Sequence, residues 1–306
     1  MTGLCDGRVA VVTGAGRGIG RSEAIGLAVA GARVVVNDLA GEAHRQNSGA
    51  TTPAEEVVAE IEALGGVAIA NFDDVADEQG AQRLVDHAIA TFGQLDILVN
   101  NTGILRLGPL ADMSADDWDA VIRINLRGHF LPIRAAARHW RERAERGEEV
   151  NGRIINTSSA SGLLGVAQQA SYGSAKAAVA TLTIVAAEEL ERYGVTANAL
   201  SPHADTHMTL TLPGKAPKQP VPGWDARDPD NLVPIVVWLA SLESHDVSGH
   251  VFDVGGGFVM IFEPWQFGPT ADIHAKWEPL ALGEAVRGLL SESRRRPTQI
   301  DPPWPT

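Results

Sequence analysis

The sequence predicts an α/β fold in which a parallel sheet is covered by helices on both faces, three layers in all. Three observations carry this. Short β-branched runs alternate with longer stretches of helical periodicity. The runs are short and mostly apolar, without a sustained alternation of apolar and polar residues, as expected of strands buried on both faces. A glycine-rich turn follows the first run, where open α/β sheets bind ligands.

Arg8-Val9-Ala10-Val11-Val12 reads as the first strand, leading into Thr13-Gly14-Ala15-Gly16-Arg17-Gly18-Ile19-Gly20 and a helix to about residue 30. The glycines at 14, 18 and 20 let the backbone turn tightly and approach a pyrophosphate at the helix N-terminus. An ordinary glycine-rich turn is the plainer alternative; the position at the first βα junction favours dinucleotide binding. The second strand, residues 33–37, ends at Asp38. A carboxylate there can take ribose hydroxyls and repel a 2′-phosphate, which selects NAD over NADP, whereas Arg17 in the loop points mildly the other way.

A polar loop (39–53) precedes a helix (54–64) and a third strand (67–72). Asp73-Asp74-Val75 follows: Asp74 can accept from an adenine amino group and Val75 can pack on its ring. A helix N-cap is the rival role for Asp73 and, more weakly, for Asp74. After a helix over 78–92 and a fourth strand over 95–99, the small-residue turn Asn100-Asn101-Thr102-Gly103 would let backbone approach the nicotinamide side. A long helix over 116–134 carries Asn125, which is costly there unless its amide is used, by a ligand or by a kink or neighbouring helix. Residues 141–151 read as a solvated turn, 153–158 as a strand, 195–200 as the sixth strand, and 203–234 as a lid. A helix over 235–241 and a last strand over 250–254 close the domain, placed at residues 1–262. Residues 263–306 form a C-terminal extension rich in tryptophan, expected to pack on the domain or a neighbouring subunit.

Composition bounds the function. A net charge of −13 argues against nucleic acid and anionic membranes as partners. The single cysteine, Cys5, forms no internal disulfide, so a cytoplasmic location is expected. The N-terminus carries no signal-peptide pattern, no apolar run is long enough to span a bilayer, and no Cys/His cluster has metal spacing.

The chemistry centres on Tyr172-Gly173-Ser174-Ala175-Lys176, in an Ala-rich helix over 170–191. Tyr172 and Lys176 are i and i+4, so they leave one face of the helix. A phenol has a pKa near ~10 and is a poor base at neutral pH. An ammonium about 6 Å away favours phenolate by roughly 3 kcal/mol at an effective dielectric of about 20. Ser159, past the fifth strand, can bring a hydroxyl to the same place and hold a substrate oxygen. A Tyr and Lys four apart on a solvated face is common, so the pair gains weight only from its company.

That company is Thr13-Gly14-x-x-x-Gly18-x-Gly20, Asp74-Val75, Asn100-Asn101-Thr102-Gly103, Asn125, Ser159 and Tyr172-x-x-x-Lys176, in this order. The set resembles the short-chain dehydrogenase/reductase family over about residues 7–257. The resemblance implies a Rossmann-like doubly wound seven-stranded sheet, an NAD(P)-dependent oxidoreductase of secondary alcohols and ketones, and a homo-oligomer, tetramer or dimer. It implies that Tyr172 takes the alcohol proton, Lys176 bonds the nicotinamide ribose, Ser159 orients the substrate oxygen and Asn125 holds a relay water. It also places Pro202 and Thr206 beside the cofactor. Finer texture, including Val35-Val36-Asn37-Asp38-Leu39, Leu126-Arg127-Gly128 and Val251-Phe252-Asp253-Val254, is similar to the (3R)-hydroxyacyl-CoA dehydrogenase unit of type-2 peroxisomal multifunctional enzymes, in lipid metabolism. That branch implies a 3-hydroxyacyl-CoA or hydroxysteroid substrate, with Lys215, Lys218 and Arg106 as candidates for CoA phosphates. An NADP-dependent carbonyl reductase and a non-catalytic dinucleotide-binding scaffold are the alternatives. Two departures stand out: Thr102 replaces the family's usual Ala, and Pro202-His203 replaces Pro-Gly.

Overall fold

The computed structural model describes residues 3–39, 51–210, 223–263 and 265–293. Residues 1–262 form one unit and 263–306 a second. The first unit is built on the strands β1 (Val9–Thr13), β2 (Arg33–Asn37), β3 (Val67–Asn71), β4 (Ile97–Asn100), β5 (Arg153–Thr157), β6 (Thr196–Pro202), β7 (Val251–Gly255) and β8 (Phe258–Phe262). Their order is β3-β2-β1-β4-β5-β6-β7-β8. Strands β1 to β7 are parallel, as expected, and β8 pairs antiparallel with β7. The eighth strand was not anticipated. Gly256 and Gly257, at φ of 48° and 83°, make the tight reversal that returns the chain along β7.

The helices are α1 (Gly18–Val29), α2 (Pro53–Ala63), α3 (Glu78–Phe92), α4 (Ala115–Ile122), α5 (Gly128–Glu145), α6 (Ala170–Leu190), the short α7 (His207–Leu210), α8 (Val233–Ala240) and, in the second unit, α9 (Pro279–Glu292). Local chemistry fixes several starts. Thr52 and Glu55 form a reciprocal capping box with Pro53 in the first turn of α2. Asp77 caps α3 through Gly80 N, and Ser114 caps α4 through Asp117 N. The N-cap role thus falls to Asp77, and Asp73 pairs with Arg83 at 2.7 Å.

The pleat divides the core. Ala10 and Val12 join Leu27, Ile61 and Leu239 on one face of the sheet. Val9 and Val11 join Leu84, Trp140 and Leu190 on the other. This is the expected three-layer arrangement. The order reverses between β1 and β4, which opens a crevice at their C-terminal ends.

Some boundaries move. The long central helix is not uniform: a π-helical turn, Arg123–Arg127, separates α4 from α5 and contains Asn125. Helix α5 carries Pro132 in its first turns and runs on to Glu145, because no further Gly or Pro comes before Gly147 at φ 78°, so the expected turn over 141–151 is helical in its first part. Helix α8 begins at Val233, with Pro234 tolerated in its first turn. Most of the loop over 39–53 and the central part of the expected lid, with Lys215 and Lys218, lie outside the described residues, as does Trp304. Trp265 is fully exposed in the single chain. No helix among the described residues is long and apolar enough to cross a membrane.

Candidate active site

The crevice is assembled from strand ends. Gly14 and Gly18 hold left-handed conformations, φ 62° and 56°, which a side chain would strain. A β-carbon on Gly20 would stand 2.4 Å from both the Gly14 carbonyl oxygen and Asn101 Nδ2, so the loop closes only around a bare glycine. Helix α1 starts here with Arg17 as an exposed N-cap, no capping side chain and no acidic residue in its first turn, while Ile19 anchors that turn on the core. Its first N–H groups are therefore left for an anion, and the helix dipole favours one. Asp38 stands across the loop, its Oδ2 accepting from Gly16 N at 3.0 Å. Thr206 closes over the other side: a β-carbon on Gly18 would lie 3.3 Å from Thr206 Cγ2. Pro202 ends β6 on the neighbouring stretch of chain. This donor set fits a dinucleotide pyrophosphate with its adenosine ribose at Asp38.

Two adenine-side expectations need correction. Val75 is buried in the core, and its Cγ2 would meet a β-carbon on Gly128 at 3.3 Å, which leaves only its backbone for a ligand. Asp74 is already engaged: Oδ2 pairs with Arg123 at 2.5 Å and Oδ1 accepts from Ala76 N at 2.8 Å. An adenine amino group would have to share those oxygens.

The turn after β4 is stitched to the glycine loop. Asn101 Nδ2 donates to the Thr13 and Gly14 carbonyls at 3.1 Å, and the N–H groups of Asn101 and Thr102 reach Thr13 Oγ1. Asn101 thus shapes the crevice floor with its amide group. Thr102 Oγ1 is buried without a partner. Gly103 comes closest to the chemistry, since a β-carbon there would stand 3.8 Å from Lys176 Nζ.

Helix α6 places Tyr172 and Lys176 on one face, with Nζ 5.8 Å from the centre of the phenol ring. Lys176 is buried and donates to the Thr157 carbonyl at 2.5 Å. Ser159 follows β5, and its hydrogen bond with Tyr172 favours the phenolate. The four expected elements therefore converge: glycine loop, Ser159, Tyr172 and Lys176.

The electrostatics differ from the expectation that the ammonium draws the phenol down. Burial raises Tyr172 above its ordinary value of 10.0, and only the Ser159 hydrogen bond opposes it. Burial also pushes Lys176 down to about 7. The lowered Lys176 value weakens the Coulomb argument made with a full charge in the ligand-free protein.

Asn125 also departs from expectation. Its Oδ1 accepts from Ile104 N at 2.7 Å and its Nδ2 donates to the Ile104 carbonyl at 2.9 Å. The side chain is a clamp on the turn after β4, so its amide is not free for a relay water. Replacing Asn125 with Leu strips both partners from Ile104. The expected result is a loss of about 2–3 kcal/mol, seen calorimetrically as a melting-temperature drop of roughly 5–10 °C, together with a fall in turnover.

Sequence reasoning missed Arg123, which occupies Asp74, and His129, which is buried one helical turn beyond Asn125. The signal for His129 was available: a histidine four residues after a buried asparagine shares its helix face.

Comparison with known proteins agrees with this geometry. The short chain dehydrogenase profile matches residues 8–213. Hydroxyacyl-CoA dehydrogenase ChsB1 of Mycobacterium tuberculosis is 42% identical over 289 residues, covering 93% of this chain and 89% of that protein. Peroxisomal multifunctional enzyme type 2 of Mus musculus is 39% identical over 282 residues, 92% of this chain but 36% of that larger protein. A crystal structure of a short chain dehydrogenase from Mycobacterium avium superposes with a TM-score of 0.87 at 46% identity, covering 96% and 98% of the two chains. The chain belongs to the short-chain dehydrogenase family, and is an oxidoreductase that interconverts secondary alcohols and ketones.

Proposed function

We propose that the protein is an NAD(H)-dependent dehydrogenase of 3-hydroxyacyl-CoA thioesters. The observation that carries this is the convergence of Tyr172, Lys176 and Ser159 beside the glycine loop, with Asp38 at the ribose end of the same crevice. The bound dinucleotide supplies the hydride acceptor at nicotinamide C4. Tyr172 Oη takes the hydroxyl proton as the substrate C–H hydride leaves and the C–O bond becomes a carbonyl. Ser159 Oγ holds the substrate oxygen. Lys176 bonds the ribose and lends its charge to the phenolate.

The acyl-CoA reading is supported by relatives named for that substrate. Arg106, the described candidate for CoA phosphates, is half exposed and 3.3 Å from Asp117, so an anion must compete with that carboxylate. An NADP-dependent 3-oxoacyl reductase is the second reading. It is favoured by the exposed Arg17 at the loop and by the Synechocystis 3-oxoacyl-[acyl-carrier-protein] reductase, 39% identical over 262 residues. A cytoplasmic homo-oligomer completes the proposal; exposed apolar residues Val259 and Ile261 on β8 suit burial by another subunit, and the extension over 263–306 is assigned to the same packing.

The test is a panel of acyl-CoA, steroid and other secondary alcohols with both dinucleotides. NADH formation with the acyl-CoA should dominate. Asp38→Ala should narrow the NAD/NADP ratio of kcat/KM by about tenfold or more, a loss of roughly 1.4 kcal/mol of discrimination. A wild-type preference for NADP, or an unchanged ratio in the variant, removes Asp38 from this role.

A further inference from the structure

The segment that closes the outer side of the glycine loop is held by side chains that the reaction above does not use. Strand β6 ends at Pro202, and His203 follows where the family's usual residue is glycine. His203 N donates to the Val254 carbonyl at 2.8 Å, so the backbone stays paired to β7. The side chain is spent on the same strand: Asp253 Oδ1 accepts from His203 Nε2 at 2.9 Å. Phe258, the first residue of β8, meets the imidazole edge-on, with ring centres 5.6 Å apart. Gly255 makes room for this packing, since a β-carbon there would stand 2.6 Å from His203 Cβ. Asp253 is only 3% exposed. A carboxylate so buried needs a partner, and His203 supplies one.

Beyond this pin the chain is braced. Asp205 N donates to the Arg227 carbonyl at 2.8 Å. Thr206 N donates to Thr209 Oγ1 at 2.7 Å, and that hydroxyl reaches back to the Ala204 carbonyl at 3.2 Å. Three residues separate His203 from the Thr206 that meets Gly18, a reach of about 10 Å at most. Over so short a braced span, a shift of the pinned end is passed on to Thr206. We propose that His203 is a positioning residue for the dinucleotide: its bond to Asp253 pins the exit of β6 and thereby holds Thr206 against the Gly18 turn of the pyrophosphate loop. The inference rests on the dinucleotide reading above and deepens it. It is also one-sided. Asp38 stands across the loop, bonded to Gly16 N, and shares none of these contacts, so the adenosine end should not feel the pin.

Removing the imidazole alone would strand a buried carboxylate, so the decisive variant removes both partners, His203→Leu with Asp253→Leu. It should melt within about 5 °C of wild type. By calorimetry it should bind NADH about tenfold more weakly and AMP within about twofold of wild type. KM for NAD⁺ should rise about tenfold while kcat at saturation stays within about twofold, because Ser159, Tyr172 and Lys176 lie on other elements. His203→Gln, whose amide keeps a donor for Asp253, should restore NADH binding. Thr206→Gly, which removes the far end and leaves Asp253 served, should show the same split between NADH and AMP and keeps the test open if the double variant does not fold. Wild-type NADH affinity in the folded double variant or in Thr206→Gly, equal losses for NADH and AMP, or His203→Gln binding as weakly as the double variant overturns the inference. A wild-type protein that binds no NADH removes the dinucleotide reading and this inference with it, whereas normal NADH binding in both wild type and double variant removes His203 alone.

Discussion

Tyr172→Phe should lower kcat by about 10²–10⁴-fold, the range expected when a positioned general acid/base is removed. Only one oxygen is lost. The ring, its packing on Lys176 and the backbone of α6 remain, so NADH should bind within about twofold of wild type by calorimetry. The separation matters, because a residue that served only to pack would lower stability and affinity together. Here kcat alone should fall, since the proton leaves the substrate only in the transition state. Retained turnover would show that another group takes the proton, and Tyr193, the second tyrosine of the chain, lies beyond the end of α6.

The second large effect concerns the cradle. Gly20→Ala adds one methyl, but that methyl meets Gly14 O and Asn101 Nδ2 at 2.4 Å. Neither neighbour is a free side-chain end: one is backbone, and the other already holds the Thr13 and Gly14 carbonyls. The loop must open, which costs about 1–3 kcal/mol as overpacking and displaces the N–H groups at the start of α1. Dinucleotide affinity should fall about 10- to 100-fold, or roughly 1.4–2.8 kcal/mol, in calorimetric titration with NADH. Wild-type affinity in the variant would mean that the pyrophosphate does not rest on this loop.

Much of this was legible in the sequence because it is written in local rules. Buried parallel strands need unbroken apolar runs, and residues 9–12, 34–36 and 97–99 supply them. The glycine loop and the Tyr172–Lys176 spacing each follow from one helix or one turn. What stayed hidden depends on contacts between distant segments. Val75 is core and not ligand-facing because Gly128 packs against it. The Asn125 amide is spent on Ile104, 21 residues away, a partner that no helical period indicates. Strand β8 reads as tail in the sequence, since only the Gly256-Gly257 reversal brings Phe258–Phe262 back onto β7. The direction of the Tyr172 and Lys176 shifts was hidden for a related reason: spacing gives their separation, but burial sets the dielectric around them.

The proposed reaction requires that Tyr172 become a usable base once the dinucleotide is in place. In a Tyr193→Phe background, Tyr172 is the one remaining phenol, and its ionisation can be followed by ultraviolet absorbance with and without NAD⁺. The free protein should titrate above the ordinary phenol value, because burial dominates. If NAD⁺ binds as proposed, its ribose hydroxyls would hold the Lys176 charge and its nicotinamide would add a cation, so the same phenol should ionise well below that value. A Tyr172 titration that NAD⁺ leaves unmoved would contradict the general-base role of Tyr172.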